Sequence, residues 1–481
     1  MRLFLLVYIL ICSTLFFFSN TGSYDPTLCA ILLSIDFCLL IYCFIHKYKD
    51  LSKQPRPSLI FMLSSFIVSF QFFIDALLEY VPVYVEKPFY NENLISYGVI
   101  LSSISFAAMV LGYESCNKIK GNGSIHSHLV PHKATIKIVS LSHILSFLLW
   151  LSTLSLADLT GASYLGSGDY ELAVDSGSYA ELLYSIISYV LFTTILLQHN
   201  NNVETSVSSF FKILPTTNLI ICILYVCVKL LSGDRGGAVT TIVIMTFLYL
   251  QLSRKHIKVI WVLGGLFLGS VLISAIGIGR GYGDSLSFDQ KLALGLAGEY
   301  AYEKDVYPSV LSSTQELASS VFCTQIALDD TINLNKEIHN GTFHMCYILE
   351  CIPFIGSKII NEVLNIPRNE KSSSAYVTMK YLGNYPTYGL GTNLTADFYL
   401  DFGIIGVIIC MFFIGGIYKR IDYIFAHQNI RSVFEACLFI VLTASSINLP
   451  RGYFMFYVRN VLFVFIIYST INYLCKQTIK R

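Results

Sequence analysis

Two aspartates in the last quarter of the chain have the spacing of a general acid–base pair. Asp397 and Asp401 lie in the run Leu-Thr-Ala-Asp-Phe-Tyr-Leu-Asp-Phe-Gly, residues 394–403. Residues four apart share one face of a helix, and partial burial raises the pKa of a carboxyl group toward that of a useful base. We therefore predict catalytic roles for both aspartates. Helix N-terminal capping is the structural alternative.

His339 and His344 are further acid–base candidates, in the run Ile-His-Asn-Gly-Thr-Phe-His, residues 338–344. His339 is predicted to act as a base, whereas simple solvation in a polar loop is the alternative for both histidines. Tyr388 and Tyr399 belong to a tyrosine-rich stretch, and we predict that their rings stack on sugar faces. Such rings equally form the aromatic belt at a membrane interface.

Arg235 and Arg280 both stand among glycines. Arg235 lies in Gly-Asp-Arg-Gly-Gly, residues 233–237, and Arg280 lies in Gly-Ile-Gly-Arg-Gly-Tyr-Gly, residues 277–283. Glycine lets the backbone approach a ligand closely and present its N–H groups to an anion. We predict a phosphate site at each. A local Asp–Arg pair is the alternative for the first, and a loose hinge for the second.

Arg451 and Arg459 flank the aromatic run Gly-Tyr-Phe-Met-Phe-Tyr, residues 452–457. An arginine about two turns inside an apolar helix needs an internal partner or an anionic ligand, because desolvating it unpaired is unfavourable. Lys229 lies shortly before Arg235 and is predicted near the same end of the helices. Snorkelling along the lipid face is the alternative for Arg459 and Lys229. Four converging arginines would bind a diphosphate, since the planar guanidinium grips phosphate oxygens in pairs.

The elements that must position these residues are predicted to span a membrane. Of the 481 residues, 54% are hydrophobic and only 13% are charged, against about 25% charged residues in a soluble domain. Too few polar side chains remain to coat a soluble globule of this size. Soluble enzymes, disordered scaffolds and secreted disulfide domains are therefore excluded. The net charge of +1 gives no basis for a nucleic-acid partner.

Twelve apolar runs are long enough to cross a hydrocarbon core. They lie at about 3–19, 27–46, 58–80, 95–113, 137–156, 179–198, 216–231, 237–252, 259–279, 402–418, 432–449 and 454–474. One set of short loops carries 19 Lys and Arg, and the opposite set carries three. Because cytoplasmic loops retain positive charge, both termini are predicted to be cytoplasmic. We expect an all-α polytopic membrane protein with one transmembrane domain over residues 1–481.

The largest connection, residues 280–401, falls between the ninth and tenth spans on the extracytoplasmic side. Long loops of this kind are commonly functional. Residues 343–366 within it are apolar but also carry charged residues and a proline. We predict an interfacial or re-entrant helix there rather than another span. A second amphipathic stretch, residues 287–302, is predicted along the same surface.

Three pieces of the chain resemble the Wzy-type oligosaccharide repeat-unit polymerases, which extend bacterial O-antigen and related glycans. Residues 232–237, Ser-Gly-Asp-Arg-Gly-Gly, are similar to that family's Ser/Gly-x-Arg-Gly turn before an apolar span. Residues 341–353, from Gly-Thr to Ile-Pro, are similar to its Gly-x-Thr segment and following helix. Residues 389–406 are similar to its Gly-x-Gly, acidic-aromatic and Phe-Gly-x-x-Gly run. The resemblance covers roughly residues 215–420, and its usual Glu is Asp397 here, which has a shorter reach.

This resemblance implies a glycosyltransferase-C-like fold in the bacterial inner membrane, with the large loop and the active site in the periplasm. The substrates would be undecaprenyl-diphosphate-linked oligosaccharides, and the growing chain would move from its lipid diphosphate to a sugar hydroxyl of the next unit. The four arginines would stabilise the departing diphosphate, and Asp397 or His339 would activate the hydroxyl. A chain-length-regulating co-polymerase is the expected protein partner. No metal or nucleotide motif is evident, so no cofactor is expected.

Other functions remain open on the sequence alone. O-antigen ligases carry His-Asn near the point where this chain has Thr392-Asn393, which favours a polymerase over a ligase. A twelve-span lipid-glycan flippase or transporter would show two similar halves, and no such similarity is found. A membrane-bound acyltransferase would need a histidine-centred site, for which only the two loop histidines are available.

Overall fold

The structure is a computed structural model of the 481-residue chain. It describes residues 1–18, 24–50, 56–81, 89–116, 130–155, 176–199, 207–232, 235–253, 314–352, 355–384, 389–427 and 430–478, with isolated residues between 264 and 311 and residue 386. Several predicted features lie outside the described residues: most of the ninth predicted span, most of the stretch 287–302, Arg280 and Tyr388. The side chain of Arg235 is also outside them, although its backbone is described.

Every regular element in these described ranges is helical. The main helices are α1 (Arg2–Phe18), α2 (Pro26–Asp50), α3 (Pro57–Leu77), α4 (Ile95–Ser115), α5 (Lys133–Ser152), α6 (Ser176–His199), α7 (Val207–Ile213), α8 (Thr216–Ser232), α9 (Arg235–Ser253), α10 (Val321–Ile332), α11 (Thr342–Glu350), α12 (Ser373–Leu382), α13 (Leu394–His427), α14 (Val433–Ala444) and α15 (Phe454–Thr478). Shorter helical segments lie at Glu92–Leu94, Gln315–Ala318, Gly356–Lys358, Ile359–Val363, Arg368–Glu370 and Leu449–Arg451. The all-α prediction is confirmed for the part of the chain that the structure describes.

Eight helices of the described residues are long and apolar enough to cross a membrane. They are α2, α3, α4, α5, α6, α9, α13 and α15. The helices α1, α8 and α14 are apolar but shorter, and they coincide with the first, seventh and eleventh predicted spans. The chain is therefore a multi-pass membrane protein, whereas a total of twelve spans and the side of the large loop stay predictions.

The contact between α4 and α13 forms the centre of the bundle. A Cβ atom on Gly112 of α4 would lie 1.9 Å from the carbonyl oxygen of Phe412, and one on Gly415 of α13 would lie 2.0 Å from that of Met109. Only glycine permits this approach of the two backbones. Small residues at such crossings let membrane helices gain van der Waals contact, which replaces the hydrophobic driving force that lipid does not supply.

Helix α13 is interrupted at Gly403. This residue has φ 65° and ψ −161°, a combination that is accessible to glycine and strained for other residues. The predicted tenth span begins at residue 402, but the helix begins eight residues earlier, at Leu394. Asp397 and Asp401 therefore lie inside the helix, on the short segment that precedes the kink.

The helices α10, α11 and α12 come from the predicted large loop and pack against α13. Lys380 of α12 forms ion pairs with Asp329 and Asp330 of α10, at 3.1 and 2.8 Å. Asp330 also accepts a hydrogen bond from the hydroxyl of Tyr376, at 2.8 Å. This part of the loop is thus a packed layer of helices attached to the first segment of α13.

Candidate active site

Asp397 and Asp401 are both completely buried on α13, and neither caps that helix. The cap is Asn393, whose Oδ1 accepts the backbone N–H of Ala396 at 2.8 Å. The Nδ2 group of Asn393 donates to the carbonyl oxygen of Ser320 at 2.5 Å, which fixes the amide in this orientation. The two carboxylates are therefore available for other partners.

The kink at Gly403 opens two carbonyl groups of α13 to another segment of the chain. The carbonyl oxygen of Leu400 accepts the N–H of His339 at 2.8 Å, and that of Asp401 accepts the N–H of Gly341 at 3.1 Å. In a regular helix such carbonyls accept hydrogen bonds from the residues four positions later. Gly341 has φ 87°, so the turn needs glycine. Two backbone hydrogen bonds thus hold the turn 339–341 against α13.

Asp401 caps the N-terminus of α11, the helix that follows this turn. Its carboxylate oxygens accept the backbone N–H groups of Phe343, at 3.2 Å, and His344, at 2.8 Å. The N-cap residue of α11 is Gly341, which has no side chain to satisfy these donors. A carboxylate at this position also interacts favourably with the helix dipole. Helix N-terminal capping, the structural alternative for Asp401, therefore does apply to this residue. The helix that it caps is α11, however, and not α13, on which it lies.

The side chain of His344 lies between the two carboxylates. Its Nδ1 is 2.6 Å from Oδ2 of Asp401, and its Nε2 is 3.7 Å from Oδ2 of Asp397. The ring packs against Phe398 and Phe402, with centroids 5.5 and 4.9 Å apart. Because Nδ1 is hydrogen-bonded to a carboxylate, it carries the proton in the neutral ring, and Nε2 is then the basic atom.

Burial alone would lower the pKa of His344, but the hydrogen bond to Asp401 and the charges of Asp397 and Asp401 raise it above its ordinary value. The surroundings thus favour the imidazolium form. A base in this position would accept a proton readily, and the resulting cation would remain next to two carboxylates.

Asp397 is held by two hydroxyl groups through one of its oxygens. Its Oδ1 accepts hydrogen bonds from Tyr347, at 3.2 Å, and Ser373, at 2.5 Å. Its Oδ2 has no hydrogen-bond partner, and neither has the facing Nε2 of His344. When the ring is neutral both atoms are hydrogen-bond acceptors, so each could accept a hydrogen bond from a different substrate hydroxyl.

His339 and Tyr399 lie outside the group of polar side chains around His344. The ring of His339 packs on Phe343 and Tyr376, with centroids 4.4 and 4.6 Å apart, and burial lowers its pKa. The hydroxyl of Tyr399 is 2.6 Å from that of Thr331, and the side chain is only 4% exposed. A catalytic His339 and a sugar-stacking Tyr399 stay predictions, but neither side chain belongs to the group around His344.

Tyr453 links the carboxylates to the segment that carries Arg451. Its ring stacks on that of Tyr347, with centroids 4.4 Å apart and planes at 13°. Arg451 ends the helical turn Leu449–Arg451, two residues before Tyr453. The hydroxyl of Tyr347 donates to Asp397, so one tyrosine separates this arginine segment from the buried carboxylate.

Arg459 lies on α15, with its guanidinium over the ring of Phe456 at 4.8 Å. Its Nε is buried and has no hydrogen-bond partner. Burial raises the pKa of Glu350 at the end of α11, and the charge of Arg459 partly opposes this rise. Arg459 is therefore close to the helix that carries His344.

The first turn of α9 adjoins the Arg451 segment. Asn448 donates through Nδ2 to the carbonyl oxygen of Gly236 at 3.4 Å and to the hydroxyl of Thr240 at 3.2 Å. Arg235 is the first residue of this helix. Lys229, by contrast, forms an ion pair with Glu181 at 2.5 Å and is only 7% exposed. Lys229 is thus buried in an ion pair and does not extend along the lipid face toward the headgroups.

A family model matches nearly the whole chain. It is described as O-antigen polysaccharide polymerase Wzy and covers residues 1–480. The chain belongs to this family. No curated protein and no solved structure matches the chain. The match includes the first two hundred residues, for which the sequence pattern alone indicates no Wzy resemblance.

Two of the pieces that resemble Wzy polymerases meet in the structure. A Cβ atom on Gly341, in the piece 341–353, would lie 3.1 Å from the ring of Phe402, in the piece 389–406. The two pieces are also joined by the hydrogen bonds from Asp401 to α11. Among the residues described, no group of three or more His, Cys, Asp or Glu side chains is arranged to hold a metal ion. The candidate active site of this Wzy-family chain is therefore the group His344, Asp401, Asp397, Tyr347 and Ser373.

Proposed function

We propose that this chain joins undecaprenyl-diphosphate-linked oligosaccharide repeat units at the periplasmic face of the bacterial inner membrane. Membership of the Wzy family makes it an O-antigen repeat-unit polymerase that acts on lipid-linked oligosaccharide in a membrane. The identity of the lipid-linked donor, the periplasmic location of the reaction and its mechanism are what we propose. The distribution of Lys and Arg among the short loops supports cytoplasmic termini. A chain-length-regulating co-polymerase is the proposed partner.

The observation that carries the mechanism is the facing pair of Nε2 of His344 and Oδ2 of Asp397, which lie 3.7 Å apart and have no hydrogen-bond partner. The acceptor sugar hydroxyl approaches this pair from one side and donates its single hydrogen bond to Nε2 of His344, with its oxygen directed at the anomeric carbon of the donor. As the new carbon–oxygen bond forms, the hydroxyl proton moves to Nε2 of His344. The bond from the anomeric carbon to the phosphate oxygen breaks, and its electron pair leaves with the lipid diphosphate.

The two aspartates have distinct roles in this reaction. Asp401 holds the proton of His344 on Nδ1 and then stabilises the imidazolium that forms, as the carboxylate does in a Ser-His-Asp triad. Asp397 is kept in place by Tyr347 and Ser373, and its other oxygen faces Nε2 of His344 at 3.7 Å, where its charge stabilises the proton that the ring receives. His344, rather than His339, is thus the proposed base.

The arginines are proposed to bind the diphosphate of the donor. Negative charge accumulates on the leaving group as its bond to the sugar breaks, and fixed cations stabilise that charge. Arg451 and Arg459 lie on the segments next to Tyr453 and α11, which supports this role. Arg235 and Arg280 are proposed as further diphosphate ligands on the pattern of the sequence.

Deletion of the gene, followed by complementation and gel analysis of surface polysaccharide, tests the proposal. The wild-type gene should restore a ladder of chain lengths, whereas His344→Ala and Asp401→Asn should yield only single-repeat products. Tyr376→Phe, which removes a hydroxyl outside the group, is the matched control and should restore the ladder. Complete loss of capped lipid in the deletion strain would instead point to a ligase or a flippase. A normal ladder from His344→Ala would exclude the proposed base.

A further inference from the structure

Helix α11 exposes an apolar face beside the candidate active site. Met345, Ile348 and Ile352 are 41%, 56% and 45% exposed, and their spacing places them on one side of the helix. The opposite side is buried and contains Phe343 and Tyr347. This is the pattern of an amphipathic helix, but the exposed face is the apolar one.

The chain continues into a second helical stretch that packs on α11. A Cβ atom on Gly356 would lie 1.9 Å from the carbonyl oxygen of Leu349, so the two backbones touch and glycine is required. Ile355, Val363 and Leu364 in this stretch are 57%, 70% and 43% exposed. A cluster of exposed apolar side chains this dense is unusual on a surface that faces water.

The depth of α11 in the bilayer follows from α13. Arg420 pairs with Glu435 at 2.5 Å, and the helix from Arg420 back to Asp401 rises about 28 Å at 1.5 Å per residue. A hydrocarbon core is about 30 Å thick. If Arg420 marks one edge of the core, then Asp401 lies close to the other edge. Because Asp401 caps α11, this helix begins at the same level.

The apolar face of α11 is continuous with the lipid-exposed side of α13. Ile405 and Ile409 on α13 are 71% and 49% exposed, one and two turns beyond Asp401. Phe402 is 36% exposed and contacts the ring of His344 at 4.9 Å, next to Met345. One apolar surface therefore passes from the span to α11.

We propose that residues 342–352 and 355–364 form the two arms of an amphipathic hairpin whose apolar face is inserted among the lipid acyl chains of the adjoining leaflet. The exposed side chains of Lys358 and Glu362 lie in the second stretch, where their charged ends can reach the headgroups from the edge of the hydrocarbon. Acyl chains are the occupant because the face continues the exposed apolar side of α13, a helix long and apolar enough to cross the membrane. His344 lies at the edge of this face, so a lipid-linked molecule reaches it from the side, through the bilayer. This last consequence rests on the proposed function, but the insertion does not.

Tryptophan fluorescence in proteoliposomes tests the insertion. Ile348→Trp is compared with Leu334→Trp, a control at an exposed apolar residue, 52% exposed, that lies among polar residues between α10 and α11. Phosphatidylcholine brominated on its acyl chains and aqueous iodide are the two quenchers. The signal of the two natural tryptophans is subtracted with the wild-type protein.

Emission from Ile348→Trp should be lost in brominated vesicles and retained in iodide, and Leu334→Trp should respond in the opposite way. Ile352→Trp, on the same face, gives a second reading if the first variant does not fold. Quenching of both face variants by iodide but not by bromolipid would overturn the proposal. Protection from both quenchers would also overturn it, because the face would then be covered by a second copy or by another segment of this chain. Neither result depends on polymerase activity, so a failure here is distinct from a failure of the proposed reaction.

Discussion

One carboxylate oxygen of Asp401 contacts His344 twice. Oδ2 lies 2.6 Å from Nδ1 of the imidazole and accepts the backbone N–H of the same residue at 2.8 Å. The backbone bond sets the start of α11, and the side-chain bond sets the orientation of the ring. Since both come from one atom, the position of the helix and the direction of Nε2 are coupled, in the way that outer carboxylates orient functional histidines.

Removal of the imidazole should abolish most of the polymerase activity. His344→Ala should lower the rate of chain extension by about 100- to 10,000-fold, the range for loss of a general base. The measurement is product length and rate with purified protein and lipid-linked repeat units. His339→Gln is the control and should stay within a few-fold of the wild type. Equal losses in both variants would contradict the choice of His344.

The pH dependence of the rate should report the raised pKa of His344. Only the neutral ring accepts a proton, so the rate should fall as the pH drops below the pKa of the folded protein. The midpoint should lie above about 6.5, the ordinary value for histidine, because Asp401 and Asp397 outweigh the effect of burial. In Asp401→Asn the midpoint should move to lower pH. An unchanged midpoint in this variant would contradict the assignment.

The same shift predicts a pH effect on stability. A group whose pKa is raised on folding stabilises the folded state fully below its unfolded pKa, here about 6.5. That contribution of His344 is lost as the pH rises through the folded value. Thermal unfolding in detergent should therefore show a smaller difference between the wild type and His344→Gln at alkaline pH than at pH 6. A constant difference would argue against the shift.

Gly403→Ala should disable the site through the backbone alone. Nothing but Ile338, at 4.0 Å, lies near the added Cβ atom, so the strain of a positive φ is the main effect, of order 1–3 kcal/mol. Relief of that strain would straighten α13 and withdraw the two carbonyl groups from residues 339 and 341. Chain extension should be lost. Gly383→Ala, at φ 83° and ψ −169°, carries the same strain away from the site and should lose stability but keep activity.

Tyr347→Phe should show how much the hydroxyl of Tyr347 contributes by positioning Asp397, because the packing of the ring is kept. The variant keeps the stacking on Tyr453 but loses the hydroxyl that bonds to Asp397 and to the backbone of Ser373. We expect a loss of about tenfold in rate, corresponding to one hydrogen bond to a charged group, with little change in donor KM. Ser373→Ala should act in the same direction. A purely raised KM would instead indicate that Tyr347 contacts the donor.

Arg459→Lys should weaken donor binding, because lysine keeps the charge but not the planar fork that suits a diphosphate. We expect a raised KM for the lipid-linked donor and also a lowered kcat, because the same cation stabilises the charge that develops on the leaving diphosphate. Arg420→Lys, in the ion pair with Glu435 at the other end of α13, is the control and should leave the KM unchanged. An unaltered donor KM in Arg459→Lys would remove this residue from the diphosphate site.

The sequence predicts the carboxylate pair well because four-residue spacing on a helix is a local property. Asp397 and Asp401 do share a helix and are buried. The choice between His339 and His344 depends instead on Gly403, about 60 residues further along the chain. Its φ of 65° positions the turn that starts α11, and no local pattern shows which histidine this places beside Asp401. A histidine two residues after the Gly-Thr pair is the one signal that points to it.

The partner of Lys229 could not be predicted for a similar reason. Glu181 lies 48 residues earlier, on α6, and the ion pair depends on how α6 and α8 pack. A single charge in an apolar helix shows only that a partner or a route to the headgroups is needed. The proximity of the Arg451 segment to the first turn of α9 was predictable from the helix ends on which the two lie, whereas the stacking of Tyr453 on Tyr347 was not.

The stacking of Tyr347 on Tyr453 also has a consequence for biosynthesis. The residues of the group around His344 all lie between 344 and 401, whereas Tyr453 lies about 50 residues further along the chain. A ribosome makes the chain from its N-terminus, so the hydrogen bond from Tyr347 to Asp397 can form before Tyr453 has been synthesised, whereas the stacked pair cannot. The ring of Tyr347 is therefore fixed in a late step, which follows the synthesis of the segment before α15.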